Sequence, residues 1–428
     1  MKKKVLVIGS GGREHAILWK LRQSKRVGDL FVTEANAGTA QIAEDLKNPV
    51  KTIEDVARLV DQAKSLGIDI AIAGSDNPLD LGVVDALQDA GVATFGPRRD
   101  AAQIECDKVF AKYLMARNNI PTARFSVFTE FEPAARHVHE RRDYPIIVKA
   151  SRLARGKGVS KCKDESAAIF MLQRIFELKS FGEGQAAIVE QCLKGSEFSV
   201  HAITDGESSE IWPYTRDYKL LQDGDEGPNT GGMGAYGPVS LGTRKFLIHR
   251  QVKRRVVGSA LKALRVRGRT FMGWLYTGIM VNLVGVKVLE YNARLGDPEA
   301  QVLMRLLRTD LLDIVEACLA GQLRKLKIEW YRKFAVCVVM VSDGYPQTEG
   351  YPRVPIVGLQ EAAKVPSVVV FHAGTAEEDG VIYTAGGRVL SVTALSDTLV
   401  ESRERVYDAV EWRIQCKVLR YRSDIAAA

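Results

Sequence analysis

The stretch Val288-Leu289-Glu290-Tyr291-Asn292-Ala293-Arg294 combines residue types that can handle a metal ion and a phosphate together. Residues i and i+2 of an extended segment point the same way, so Glu290 and Asn292 project together. A carboxylate beside an amide oxygen suits a hard cation such as Mg2+, which is commonly held by few protein oxygens plus substrate phosphates. Arg294 can reach the same place and stabilise negative charge on a transferring phosphoryl group. The same spacing also fits a polar outer strand face with a Glu–Arg surface pair.

Lys149 ends an apolar run at 145–150 and shares a strand face with Ile147. Burying a lysine there is costly without an anion; a side chain snorkelling from the strand edge is the alternative. The run leads into Arg155-Gly156-Lys157-Gly158. Two glycines flanking a lysine let backbone close over a polyphosphate while the lysine adds charge. The spacing is not that of a Walker A loop, and the same residues also fit a solvated basic turn. A third glycine cluster, Gly9-Ser10-Gly11-Gly12, follows the first apolar run and precedes Arg13. Backbone N–H groups at a helix start can face a phosphate. Glu14 stands where the dinucleotide fingerprint needs its third glycine, so a tight turn for helix–strand packing fits equally well.

These residues need elements to hold them. Apolar runs at 5–8, 70–73 and 91–96 alternate with helical patterns at 15–23, 56–66 and 79–90, which predicts an α/β region with a parallel, doubly wound sheet. Further on, a helix is predicted at 108–118. Strands are predicted at 145–150, 186–193, 198–204, 274–283 and 286–292, and a helix across 243–264. Residues 223–238 carry six glycines and two prolines and are expected to form a long functional loop. After about 330 the chain turns strand-rich (334–342, 367–373, 388–393) and closes with a helix over 396–413, a small α+β unit.

At 428 residues with 46% hydrophobic and 26% charged residues, the chain has an ordinary globular balance and room for two to four domains. Six scattered cysteines form no CxxC pair, which suggests reduced thiols and no zinc site. The apolar run after the basic N-terminus is too short for a signal peptide, and no stretch is long enough to cross a bilayer, so a cytoplasmic location is expected. A net charge of +8 favours anionic ligands. The basic residues form no stripe interleaved with aromatics, which argues for phosphorylated metabolites over nucleic acid. No GxSxG elbow is present.

Read together, these pieces resemble the phosphoribosylamine–glycine ligase family of ATP-grasp enzymes. The residues that carry the resemblance are VLVIGSGGREHA at 5–16, NAGTA at 36–40, FGP at 95–97 and KAxxLAxGKGV at 149–159. The most specific stretches are DGDEGPNTGGMGAYGP at 223–238 and VLEYNARLGDPEAQV at 288–302; FHAGT at 371–375 and GGRVLSVTA at 386–394 extend it to the last domain. The resemblance implies an N-terminal Rossmann-like domain at 1–103 and an ATP-grasp domain at 104–330 with a mobile lid at about 122–196. A C-terminal α+β domain at 331–428 would follow. It assigns Lys108 and Lys149 to ATP phosphates, with Gly156, Lys157 and Gly158 as the lid loop. Glu190 and the Leu193 backbone would take the adenine and Glu197 the ribose. Glu290 and Asn292 would bind Mg2+ (or Mn2+), and Arg294 would steady an acyl phosphate. Gly231, Gly232 and Met233 would lie near the reacting carboxylate, and Asp297 near the amine of glycine. Phosphoribosylamine would meet Gly11, Gly12, Arg13, Glu14, Asn36 and Gly38, and Asp217 and Lys219 are placed with the substrates. A monomer acting on small molecules, with no nucleic-acid or membrane partner, is implied. The chain departs from the family pattern at Ser151-Arg152, Arg155, residues 74–79, residues 216–220 and the tail around 414–422. A related ligase with another substrate pair, or a non-catalytic nucleotide-binding homologue, are the alternatives.

Overall fold

Strand Lys3–Ile8 is apolar on both faces, which fits it only for the middle of a covered sheet. Val5 and Val7 pack on one side and Leu6 and Ile8 on the other, all fully buried. The strand is central in a five-stranded parallel sheet ordered Glu44–Asp45, Val27–Val32, Lys3–Ile8, Ile70–Ala73, Ala93–Phe95. The computed structural model describes residues 2–154, 157–346 and 350–427.

Two antiparallel four-stranded sheets follow. One, ordered Phe125–Phe128, Ala187–Gln191, Ile146–Ala150, Val159–Cys162, is covered by helices Phe131–His139 and Glu165–Phe176. Its core includes Val138, Val148, Leu172 and Ile175. The other is ordered Ser209–Ile211, Ser196–Asp205, Met272–Val281, Val286–Asn292. The last sheet centres on Phe334–Ser342 and Arg388–Ser396, with Val368–His372 at one edge and Leu419–Arg420 also paired to Phe334–Ser342. Among the described residues no helix is long and apolar enough to cross a membrane, and the six cysteines are free thiols.

The structure corrects four expectations. Residues 223–238 are not a continuous loop. Glu226–Asn229 pairs with Leu220–Gln222, and Gly234–Gly237 joins the C-terminal sheet beside Phe334–Ser342. Glycine serves there because a Cβ at Gly234 would lie 2.7 Å from the Cys337 carbonyl oxygen of the neighbouring strand. The helix expected at 79–90 divides at Gly82 (φ +79°) into Asp76–Asp80 and Val83–Asp89. The helix expected across 243–264 carries a π segment, Val252–Val257, where Gly258 leaves room for the Lys253 carbonyl. The last helix is α-helical only over Leu399–Tyr407 and continues as a π segment, Asp408–Arg413.

Candidate active site

A β-bulge shapes the centre of the site. Strand Val286–Asn292 pairs Val288 with Ile279 and Glu290 with Gly278, so Leu289 is an extra residue with no partner. The bulge switches the alternation: Val286, Val288 and Tyr291 are buried in one core, while Glu290 and Asn292 stay half-buried on the opposite side. It also frees the Leu289 carbonyl, which accepts a hydrogen bond from Lys149 Nζ at 3.2 Å. Gly278 opposite Glu290 adds no side chain, and a Cβ there would lie 3.5 Å from both Glu290 Cγ and the Tyr276 hydroxyl.

Four cations surround that carboxylate. Lys219 Nζ lies 3.7 Å from Glu290 Oε1 and is itself ion-paired with Glu197 and 3.9 Å from Asp217. Burial pushes the Glu290 carboxyl up, but Lys219, Lys149, Lys108 and Arg294 outweigh it and hold the group below its ordinary range. Lys219 is desolvated, yet Asp217 and Glu197 keep its ammonium charged well past its ordinary range. Asn292 has no side-chain hydrogen bond among the described residues. An ionised carboxylate and an uncommitted amide oxygen are the donor set of a hard cation completed by phosphate and water, so the residues present fit Mg2+.

Helix Lys108–Arg117 is capped by Asp107, whose Oδ1 accepts from Val109 and Phe110 N–H at 2.9 and 3.1 Å. The cap sets Lys108 in the first turn, where its Nζ donates to the Arg152 carbonyl at 2.9 Å, at the start of the glycine loop. Burial pulls the Lys108 ammonium down, against the attraction of Glu290. Lys149 is 6% exposed, and Glu190 Oε2 lies 3.3 Å from its Nζ. Lys157 is exposed and Gly158 buried, its carbonyl accepting from Ala150 N–H at 2.8 Å; Arg155 and Gly156 lie outside the described residues. Leu193 and Glu197 are half-buried beyond the strand Ala187–Gln191 that carries Glu190.

The loop after the strand, 293–298, is held from three sides. Glu105 accepts from Ala293 N–H at 2.7 Å and pairs with Arg294 Nη2 at 2.8 Å. Arg294 is desolvated, but Glu105 and Asp76 keep its charge firmly in place, and its Nε–H finds no acceptor among the described residues. Buried His201 accepts from Gly296 N–H at 3.1 Å. Burial and the Arg294 charge lower His201 to about 3, so the neutral ring can accept. Arg388 then clamps the far end: it donates to Asp297 Oδ2 at 2.8 Å, to the Asp297 carbonyl at 2.7 Å and to the Gly231 carbonyl at 2.6 Å. Burial would raise the Asp297 carboxyl, but Arg388, Arg13, Gln301 and Arg294 hold it below its ordinary range. Gly232 (φ +114°) packs against this turn, where a Cβ would lie 2.5 Å from Pro298. Met233 is buried beside it.

The N-terminal glycine turn meets the same loop. Arg13 donates to the Leu295 carbonyl at 3.2 Å and to Glu14 at 2.7 Å, while Glu14 also accepts from Gly11 N–H at 2.8 Å. A Cβ on Gly12 would lie 2.8 Å from Gln301 Nε2, whose N–H groups bind Asp297 and Ser391. Helix Gly12–Leu21 therefore opens at the Asp297 end of the cleft. Asn36 is spent internally: it donates to the Ser10 and His372 carbonyls and accepts from Gly38 and Thr39 N–H. Gly38 is a packing glycine, since a Cβ there would lie 2.3 Å from His15 and 2.7 Å from His372.

Sequence reasoning missed Glu105, His201 and Arg388, which hold the 293–298 loop. Arg388 lies inside GGRVLSVTA, and that match was the one signal that could have found it; Glu105 and His201 gave none.

Two antiparallel four-stranded sheets, one carrying Lys149 and the other Glu290 and Asn292, are the architecture of an ATP-grasp ligase. Models of the phosphoribosylglycinamide synthetase N domain, ATP-grasp (A) domain and C domain match residues 3–105, 106–300 and 335–428. The chain belongs to that family. It is 43% identical to phosphoribosylamine–glycine ligase of Caldanaerobacter subterraneus subsp. tengcongensis over 99% of both chains. The crystal structure of phosphoribosylamine–glycine ligase from Thermotoga maritima superposes with a TM-score of 0.84 at 30% identity, covering 99% of this chain and 100% of that one. The biotin carboxylase domain of Hydrogenobacter thermophilus 2-oxoglutarate carboxylase, solved with MgADP and bicarbonate, shares the fold at TM-score 0.70 and 17% identity, covering 98% and 92%.

Proposed function

We propose that the chain joins glycine to 5-phosphoribosylamine at the expense of ATP, giving glycinamide ribonucleotide, ADP and phosphate. The observation that supports this reading is the convergence of charge on Glu290: Lys219, Lys149, Lys108 and Arg294 act on that carboxylate, two residues before Asn292, and Arg13 of helix Gly12–Leu21 bonds the loop that follows.

A bare carboxylate is a poor acyl donor, so phosphorylation must supply the leaving group. The glycine carboxylate attacks the γ-phosphorus of ATP, releasing ADP and leaving glycyl phosphate. The amine of phosphoribosylamine then attacks the carbonyl carbon, the C–O bond to phosphate breaks, and the amine gives up a proton. Lys108 and Lys149 neutralise the nucleotide phosphates, and the Arg294 guanidinium faces charge on the acyl phosphate. Glu290 and Asn292 would hold Mg2+ (or Mn2+), which when bound neutralises phosphate charge. Glu190 and the Leu193 backbone suit the adenine, and Glu197 the ribose. Asp297, kept ionised by Arg388, offers an anion to the ammonium of glycine, and Asp217 and Lys219 line the approach. Gly231 and Gly232 bring backbone close to the carboxylate, and the Gly156–Gly158 loop would exclude water from the acyl phosphate. The N–H groups of the first helical turn at Gly12 and Arg13 suit the ribose phosphate. The domain division at 103/104 and 330/331, with the lid at about 122–196, belongs to this reading.

The test is ADP release with glycine and freshly generated phosphoribosylamine. Sustained release is expected only when both are present. Release supported equally by alanine, or independent of the amine, would contradict the substrate assignment.

A further inference from the structure

A buried lysine outside this machinery sits next to it. Lys112 is 2% exposed, one helical turn beyond Lys108 on the same helix. Its Nζ lies 3.0 Å from Glu190 Oε1, while Lys149 Nζ lies 3.3 Å from Glu190 Oε2. Two cations therefore share one carboxylate, all three nine-tenths buried. At 3.0 Å the Lys112 ammonium is the ion-pair partner of Glu190 Oε1.

The triad joins three elements. Glu190 and Lys149 come from adjacent strands of the sheet that carries the glycine loop, where Glu190 pairs with Ile147 and Lys149 falls on the same face two residues on. Lys112 donates to Thr122 Oγ1 at 2.8 Å, and Thr122 donates to the Val288 carbonyl at 2.8 Å. Lys149 reaches the Leu289 carbonyl. Both lysines are thus tied to the bulged backbone just ahead of Glu290.

Charge arithmetic gives the arrangement a purpose. With Lys112 the triad carries one net positive charge; without it Lys149 and Glu190 cancel, and a polyphosphate meets a neutral pair. Burial lowers the Lys112 ammonium to about 8, partly offset by Glu190, so it is still charged at neutral pH. We propose that Lys112 is a positioning residue for nucleotide binding, holding the Glu190 carboxylate so that Lys149 keeps its charge available to the ATP phosphates. This rests on the assignment of Lys149 to those phosphates.

The experiment is calorimetric titration of MgATP into wild type, Lys112→Met, Glu190→Gln and the double variant, with KM and kcat measured in parallel. Lys112→Met is expected to weaken MgATP binding about tenfold or more, with kcat at saturating ATP and KM for glycine little changed. Because Glu190→Gln also alters the residue assigned to the adenine, the double variant is compared with Glu190→Gln, against which Lys112→Met is expected to cost less than about threefold, since no carboxylate remains for it to hold. A packing role would instead add the two losses. Wild-type affinity in Lys112→Met would overturn the proposal, as would a loss on adding Lys112→Met to Glu190→Gln as large as its loss in wild type. Should Lys112→Met not fold, the comparison of Glu190→Gln with the double variant remains. Equal affinity supports the proposal, and a tenfold further loss refutes it. Wild-type protein that fails to bind MgATP would instead sink the ligase reading.

Discussion

Glu290→Ala is expected to abolish ADP release, by about a thousandfold or more in kcat, while the protein still folds. Lys219, Lys149, Lys108 and Arg294 all act on Glu290 and keep it ionised. Without it the anionic oxygen two residues from Asn292 is gone, and the neighbouring carboxylates Glu190, Glu197 and Glu105 are already paired with Lys149, Lys219 and Arg294. Stability should change by no more than about 1–2 kcal/mol, because the side chain is about a third exposed and Lys219 keeps Glu197 and Asp217. The sign with pH can be checked as well. A carboxyl whose folded pKa is depressed contributes stability above its unfolded value, and loses it as pH falls through the folded value. The stability gap between wild type and variant should therefore be full above about pH 5 and close on further acidification. Steady-state ADP release and urea unfolding check both parts; full activity in the variant contradicts the metal assignment.

Arg294→Met is expected to damage both fold and activity, for separable reasons. Glu105 is 4% exposed and pairs with Arg294 at 2.8 Å. Burial already pushes the Glu105 carboxyl upward against the pull of Arg294. Removing the guanidinium strands that charge, which costs about 3–5 kcal/mol. Replacing Glu105 by Gln in the same chain removes the stranded charge while keeping an acceptor for Ala293 N–H, so Arg294→Met/Glu105→Gln should recover most of the stability. It should not recover activity, which is expected to stay about a hundredfold or more below wild type, because the charge facing the acyl phosphate is gone. A stable double variant with near-wild-type turnover would make Arg294 a structural residue only.

Much of the site was legible because it depends on local geometry. The parity of Glu290 and Asn292 follows from an extended backbone, and the cost of burying Lys149 demanded an anion. What that anion is could not be read: the structure supplies Glu190 from the adjacent strand. The bulge at Leu289 was invisible, since only register against Met272–Val281 reveals an extra residue. Six glycines in 223–238 suggested a loop, but Gly234–Gly237 is a strand because Phe334–Ser342, distant in sequence, offers it a partner. Arg388 and Glu105 escaped for the same reason. Their partners, Asp297 and Arg294, lie far along the chain, and no periodicity links them. Glu14 and Asn36 also carry internal bonds that no spacing announces, Glu14 to the Gly11 N–H of the turn and Asn36 to the Gly38 N–H.

The central claim is that Glu290 and Asn292 hold a divalent ion against nucleotide phosphates faced by Lys108 and Lys149. Anomalous diffraction from crystals grown with ADP and Mn2+ tests it most directly. The account predicts a manganese peak about 2.0–2.4 Å from a Glu290 carboxylate oxygen and the Asn292 amide oxygen, bridging to the nucleotide phosphates, with the two lysines on the same phosphates. A peak elsewhere in the chain, or nucleotide phosphates bound away from all four side chains, would contradict it.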